Sequence, residues 1–315
     1  MKQIAACTLI GFLLLLLLSG CEKYLDFEGE DATPRLVLNG AFTTDSIFSV
    51  QLSNSSGYID KNPLNTIAYG QVLVYGENGE IIDSLHHTEN GIYTGSVLAS
   101  ANSSYSVVAN AGSFGTVSAQ DYIPVAVPIV HWDTATTSVT EYDYTSSRLQ
   151  IEFTINDPAG INNFYVLEVY NTQYYYVSTI YDPNTGNMTY DTVYYDQPIR
   201  DRMYFSTSDQ ILLSESDLAI DATLYYSSGL SYSDALFNGK SQTFRILVES
   251  NYYGDNGNLE LHLKSSSEAY YSYARTLEKY FYTEGDPFAQ PVQVFSNIEN
   301  GFGIWAGYSV AVVEL

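Results

Sequence analysis

Residues 70–94 read GQVLVYGENGEIIDSLHHTENGIYT. Three strand-forming segments, Gly70–Tyr75, Ile81–Leu85 and Ile92–Thr94, are separated by Glu77-Asn78-Gly79 and Glu89-Asn90-Gly91. Asn-Gly suits a two-residue hairpin, because both central positions of that turn need positive φ. The stretch therefore predicts antiparallel strands joined by tight turns.

The same rhythm extends in both directions. Arg35–Phe42 and Ile47–Leu52 precede it, and Tyr105–Ala109 and Thr116–Tyr122 follow, with a further turn signal at Asn54 to Gly57. Short strands at such spacing predict a small sandwich over residues 34–123. Pro124 and Pro128 then bracket an extended linker, residues 124–130, since proline fixes φ and removes a ladder donor.

A second β-rich unit is expected over 131–315. Leu149–Ile155 alternates and ends at Asn156-Asp157-Pro158. Asn163–Tyr176 and Met188–Tyr195 flank a turn at Asp182-Pro183-Asn184-Thr185-Gly186. Thr243–Ser250 and Leu259–Lys264 are expected to pair across Asp255-Asn256-Gly257. The period then changes: Ala269, Tyr270, Tyr273, Ala274, Leu277 and Phe281 recur at three and four, predicting an amphipathic helix near 266–282. Ser265 with Glu268 offers a capping box, and Gly285-Asp286-Pro287 a stop. Strand-like segments close the chain at Val292–Phe295 and Ile304–Val313. The expected fold class is mainly β: two β-sandwich-like domains, the second carrying one prominent helix.

The N-terminus carries a different signal. After Met1-Lys2, Ile4 to Leu18 is apolar and ends in Leu18-Ser19-Gly20-Cys21. The run is short for a spanning helix and fits the apolar region of a signal peptide. Leu-Ser-Gly-Cys directly after it resembles a bacterial lipobox, with residues 1–20 removed and Cys21 carrying lipid. An ordinary secretory signal or an uncleaved anchor are the alternatives. Two or three acyl chains at about 0.8 kcal/mol per buried methylene hold a protein firmly without a transmembrane helix. Glu22 to Thr33, acidic and aperiodic, reads as a tether over 21–33.

Composition narrows the function classes. Twelve Lys+Arg face thirty-six Asp+Glu, a net charge of -24. Loss of residues 1–20 removes Lys2 and no acid, giving -25. Such a surface argues against nucleic acid and anionic lipid as partners, because it cannot neutralise rows of phosphates. Cys7 would leave with the signal and Cys21 would be lipidated. No thiol then remains for disulfides, zinc-thiolate sites or cysteine catalysis. Tyrosine is the outlier at thirty residues, and it favours pleated surfaces.

Several stretches together carry a family likeness. They are Cys21-Glu22 with the acidic tether, Leu36-Val37-Leu38-Asn39-Gly40, Gly91-Ile92-Tyr93, and Tyr105 to Pro124. Leu236-Phe237-Asn238-Gly239-Lys240, Ser265 to Tyr280 and Pro287 to Gly307 complete the set. Ser296-Asn297-Ile298-Glu299-Asn300-Gly301-Phe302-Gly303 is the most specific. Over nearly the whole mature chain this resembles a family of Bacteroidetes outer-membrane lipoproteins catalogued as domain of unknown function 4249. The resemblance implies no assigned activity. It implies an accessory role beside a TonB-dependent outer-membrane receptor, and an N-terminal module like the regulatory-type, Ig-like β-sandwiches of envelope proteins. The implied location is the outer membrane, lipid-anchored on its periplasmic face or at the cell surface. The acidic tether resembles surface-export signals of these bacteria.

Candidate sites are few. Tyr174, Tyr175, Tyr176, Tyr181, Tyr190, Tyr194 and Tyr195 gather around one predicted hairpin, where rings could stack on sugar faces or a partner protein. Cross-strand packing on a solvent-facing sheet would use them equally well. Asp182, Asn184, Gly186 and Asn187, and Asp255, Asn256 and Asn258, have oxygen-ligand spacing. They lack the distant bidentate Glu of a calcium loop and also make ordinary hairpin tips. Gly301, Gly303 and Gly307 follow no βαβ unit and read as a turn with close backbone packing. His86 and His87 are adjacent and point to opposite faces of a strand; His131 and His262 stand alone. No hydrolase or metalloprotease motif occurs. The expectation is a non-enzymatic binding protein without a cofactor, an accessory of a TonB-dependent receptor. A stand-alone glycan-binding or adhesion lipoprotein is the alternative, and an unrecognised envelope enzyme the remote one.

Overall fold

The computed structural model describes residues 33–56, 65–141, 144–181, 183, 185–214, 225–227, 229–249, 257–284, 288–290 and 292–315. The signal segment, Cys21 and the tether up to Ala32 lie outside these residues, as does the helix stop at Gly285-Asp286-Pro287.

The first strands are β1 (Leu36–Thr43), β2 (Ile47–Asn54), β3 (Asn65–Thr66), β4 (Gln71–Tyr75) and β5 (Ile81–His87). β6 (Ile92–Leu98), β7 (Ser103–Asn110) and β8 (Thr116–Ile123) follow. Alternation selects the buried face: in β4 Val72 and Val74 are buried while their neighbours are not. Asn90 and Gly91 both have positive φ (50° and 74°), as the β5–β6 turn requires. The β4–β5 turn differs. Only Gly79 is left-handed (φ 79°), and the Gly76 N–H donates to the Glu80 carbonyl (3.0 Å), so a longer loop replaces the expected two-residue turn. β5 changes partner along its length: Ile81–Leu85 pairs with β4, whereas His86 and His87 pair with β6. The ladder thereby folds over itself around Leu36, Leu38, Phe48, Leu52, Val72, Val107 and Ile123.

The second half comprises β9 (Ile129–Glu141), β10 (Tyr144–Asn156), β11 (Phe164–Tyr181), β12 (Met188–Met203), β13 (Phe205–Thr207) and the short helix α1 (Gln210–Ser214). β14 (Tyr225–Ser227), β15 (Gly229–Ser233), β16 (Ser241–Glu249), β17 (Gly257–Ser266), helix α2 (Glu268–Thr283) and β18 (Phe302–Glu314) complete it. A five-stranded sheet runs β14-β13-β16-β10-β9, and a 13-stranded sheet runs β12-β11-β17-β18-β1-β2-β6-β5-β4-β7-β8, with β15 and β3 paired to its sides. The core of this half sits between Ile151, Phe153 and Phe244 of the small sheet and Leu167, Leu261 and Leu263 of the large one. Mainly β, sandwich-like and with one prominent helix, the architecture is the fold class read from the sequence.

β18 joins the halves. Phe302–Tyr308 runs parallel to Val37–Thr43 of β1, and Tyr308–Glu314 runs antiparallel to Glu260–Ser266 of β17. Trp305 is fully buried in the first core, its ring 4.3 Å from Phe42 and its indole N–H donating to the Tyr105 carbonyl (2.9 Å). The last strand of the chain thus completes the first sandwich.

Four further local expectations are corrected. β16 and β17 do not pair with each other: β16 lies between β10 and β13, β17 between β11 and β18. Each buries its alternate apolar residues from an opposite side of the same core, so the chain crosses between sheets instead of turning back. The N-cap of α2 is Ser267, whose hydroxyl accepts from the Tyr270 N–H (3.1 Å). Ser265 is instead a β17 residue that accepts from the Val127 N–H (2.9 Å). The helix buries Tyr271, its ring tilted against Phe164 at 4.9 Å, whereas Phe281 of the expected apolar stripe is exposed. Residues 292–295 form no strand; the Phe295 N–H donates to the Thr276 hydroxyl (2.9 Å).

Candidate functional site

β11 outlasts its neighbour. Its described pairing with β17 reaches Gln173 opposite Gly257, and among the described residues Tyr175–Tyr181 then pairs only with Met188–Tyr194 of β12. The register shifts between Gln173 and Tyr175, a bulge that separates the ribbon from the body of the sheet. Tyr175 opposes Tyr194, Val177 opposes Thr192, Thr179 opposes Tyr190 and Tyr181 opposes Met188. Side chains alternate along a strand, so these pairs share one face and Tyr176 with Val193, Ser178 with Asp191, and Ile180 with Thr189 share the other.

All seven predicted tyrosines therefore lie on one ribbon, but they are divided between its faces and form no single platform. Cross-strand ring contacts occur between Tyr175 and Tyr194 (5.3 Å) and between Tyr176 and Tyr195 (5.5 Å). These contacts cover little of the rings: Tyr194 is 72% exposed, Tyr190 70%, Tyr181 58% and Tyr176 45%. Neither hydrophobic core includes a residue between Val169 and Met203.

The ribbon is rooted in a charged network on the outer face of the large sheet. Lys264 donates to Glu168 (2.9 Å) and to the Tyr270 hydroxyl (3.0 Å), and Arg202 pairs with Glu168 from the next strand. Burial disfavours the Lys264 ammonium, but Tyr270 and Glu168 outweigh it and hold its pKa above the ordinary range. Arg200 covers the Tyr170 ring at 4.2 Å and pairs with Glu260. Burial and Arg200 hold the His262 imidazole below its usual pKa against the pull of Glu260. The neutral ring accepts from Arg200 (2.6 Å), and protonation would turn the same Nε2 toward Glu260 (2.8 Å). Burial raises the Glu260 pKa, but His262 and Arg200 prevail and lower it. Sequence reasoning missed this network. Its signal was there: Arg200 and Arg202, and Glu260, His262 and Lys264, recur at the period of two that places charges on one face.

The most specific sequence motifs serve the fold. The Asn297 amide clamps Trp305, donating to its carbonyl (2.7 Å) and accepting from its N–H (3.0 Å). Ile298 enters the first core, and Glu299 bridges to Ser118. At Gly301, Gly303 and Gly307 a Cβ would meet the carbonyl oxygens of Leu36, Leu38 and Tyr122 within 2.5 Å, which is the close backbone packing read from the sequence. In the segment 236–240, Phe237 is buried, Asn238 donates to Asp234 (2.9 Å), and the Gly239 N–H donates to Asp157 (2.8 Å).

Other candidates contribute no assembled site. Asp182, Asn184, Asp255 and Asn256 lie outside the described residues; the Asn187 N–H donates to the Thr185 hydroxyl (3.4 Å). His86, His87 and His131 are exposed, with His87 against the Tyr93 ring. Among the described residues, no group of three His, Cys, Asp or Glu side chains is placed to hold a metal, and no helix is long and apolar enough to cross a membrane.

Among solved structures, the chain is similar to a mutant Salmonella alpha-2-macroglobulin at 12% identity and a TM-score of 0.21, covering 78% of this chain and 14% of that one. It is also similar to the BSP domain of a biofilm-associated protein at 10% identity and a TM-score of 0.18, covering 94% of this chain and 61% of that one. The chain thus spans about a seventh of the first and under two thirds of the second. No curated protein matches it. The family model described as a domain of unknown function, DUF4249, matches residues 22–313, and the chain belongs to that family.

Proposed function

We propose that this protein is a lipid-anchored, non-enzymatic accessory of the outer membrane that binds a TonB-dependent receptor, its ligand, or both. The anchor is the diacylglyceryl group on Cys21, and the acidic segment 21–33 is the tether. The observation that carries the reading is the placement of the exposed ribbon relative to the start of the fold. β1 begins beside Phe302, β18 runs from Phe302 to Glu314, Glu314 pairs with Glu260, and Glu260 pairs with Tyr170, from which β11 continues to Tyr181. At about 3.3 Å per strand residue this ladder separates Val37 from Tyr181 by roughly 70 Å. A chain tethered through Pro34 presents Tyr190 and Tyr194, the two most exposed tyrosines among the described residues, at the far end from that proline.

The experiment is a gentle-detergent pull-down of the full-length tagged lipoprotein from native outer membrane, with mass spectrometry of the recovered proteins. A stoichiometric TonB-dependent barrel is the expected result. Recovery of the bait alone, under conditions that preserve a known receptor–lipoprotein complex, overturns the reading. Glycan binding is the second reading. The open ring faces of Tyr190 and Tyr194 favour it, and retention of the chain on polysaccharide, lost with Tyr194→Ala, would establish it.

A further inference from the structure

The outer edge of β12 is the end of the 13-stranded sheet, and among the described residues nothing pairs with it. Long open edges invite pairing, and proteins guard them with Lys, Pro or a covering element. Met188–Tyr194 holds no Lys or Pro, and among the described residues no strand covers it; its one charge is Asp191, and no Lys or Arg occurs from Tyr174 to Ile199. Asp182, Asp191 and Asp196 make the segment acidic. The side chains of Tyr174, Tyr176, Val177, Ile180, Tyr181, Met188, Tyr190 and Tyr194 are between 44% and 72% exposed. At 150–250 Å² for each fully exposed aromatic ring, they present on the order of 800 Å² over the two faces. Only the sum over both faces matches one partner's share of a standard interface, and a strand added at the edge lies against both.

We infer that this ribbon is a docking arm, and that its occupant is an extended, Lys- or Arg-bearing segment of another protein that adds as a strand to the Met188–Tyr194 edge. The inference rests on the proposed accessory role and specifies the partner segment. A strand supplies the regular alternation of N–H and C=O groups that an open edge requires, and its alternate side chains meet the tyrosines on either face. Basic side chains complement the three aspartates. A second copy is disfavoured, because a chain of net charge -24 repels itself.

The test places the photo-crosslinker benzoylphenylalanine at Tyr190 or Tyr194 in the full-length lipoprotein in native membranes, with exposed Tyr69 as the control position. The expected adducts form at 190 and 194 but not at 69, and their peptides map to an extended segment carrying Lys or Arg. Asp191→Lys lowers the yield by about tenfold or more, with the fold intact by near-ultraviolet circular dichroism. Adducts to a second copy, adducts removed by glycosidases, or no adduct at 190 and 194 overturn the inference. A receptor recovered in the pull-down without ribbon adducts leaves the accessory role standing and removes only the arm. Ribbon adducts to a basic strand of a protein other than a receptor do the reverse.

Discussion

The Asp121 carboxylate of β8 accepts the Ser267 hydroxyl at the start of α2, and the same oxygen accepts the Gly307 N–H of β18 (2.9 Å). The Ser267 N–H in turn donates to the Gly307 carbonyl (3.0 Å). Three distant segments of the chain thus meet at one carboxylate. Burial raises the Asp121 pKa, and the hydrogen bonds from Ser267 and Gly307 act against that rise. Asp121→Ala leaves two donors without an acceptor and is expected to cost ~2–3 kcal/mol in urea unfolding, against ~1 kcal/mol for Asp121→Asn, which keeps an acceptor oxygen. Equal losses for the two variants would contradict this role.

Trp305→Ala is expected to lower stability by ~3–5 kcal/mol, the cost of an unfilled aromatic cavity. The loss falls on the first sandwich although the residue lies near the C-terminus. Near-ultraviolet circular dichroism should lose the Phe42, Phe48 and Tyr105 environment. A variant with unchanged stability would remove Trp305 from the core.

At Gly303, φ is +109° and a Cβ would stand 2.1 Å from the Leu38 carbonyl oxygen. Gly303→Ala must therefore move the β1–β18 pairing, with an expected loss of at least ~2 kcal/mol from strain and disturbed ladder bonds. Amide exchange should quicken along Val37–Thr43.

Stability should fall on acidification as pH drops through 6.5, the ordinary His value. His262 is held below its ordinary 6.5, so the unfolded chain binds its proton first and draws the equilibrium away from the fold as pH drops through that value. Glu260, held below 4.5, adds a loss in the same direction at lower pH, while Asp121 and Asp157, both raised above 3.8, act oppositely there. Urea midpoints at pH 7.5 and 5.5 measure the slope, and His262→Gln should flatten it. An unchanged slope in that variant would exclude His262 as its source.

Replacing residues 176–193 by Asn-Gly should leave the unfolding free energy within ~1 kcal/mol, since no core side chain is removed. Thermal and urea unfolding of the shortened chain provide the check. A large loss would mean that the ribbon is a stabilising element of the sheet.

Period and the chemistry of the Asn90-Gly91 turn were legible from local sequence. Alternation at Val72 and Val74, the left-handed pair Asn90-Gly91, and the crowded backbone at Gly301 and Gly303 follow from side-chain size and φ alone, which act within a few residues. The tyrosines were recognisable for the same reason, and Tyr181 does oppose Met188 at the end of the paired strands.

Pairing was different. Leu259–Lys264 has the pattern of a hairpin partner for Thr243–Ser250, yet the two strands lie in different sheets, because each satisfies its apolar face by meeting the other across the core. The cap passed from Ser265 to Ser267 because β17 runs on to Ser266. Phe281 belongs to a valid apolar stripe and remains exposed, since it lies in the last turn whereas the rings that meet the sheet, Tyr270 and Tyr271, lie in the first. By itself the sequence determined the strands of the first sandwich, the tight turn at Asn90-Gly91, which stretch is the prominent helix and where the tyrosines gather. Tertiary structure alone decided that β18 completes both halves, that Asp121 meets Ser267, and that the tyrosine ribbon extends past its neighbours, since these depend on contacts between residues far apart in the chain, which no local periodicity encodes.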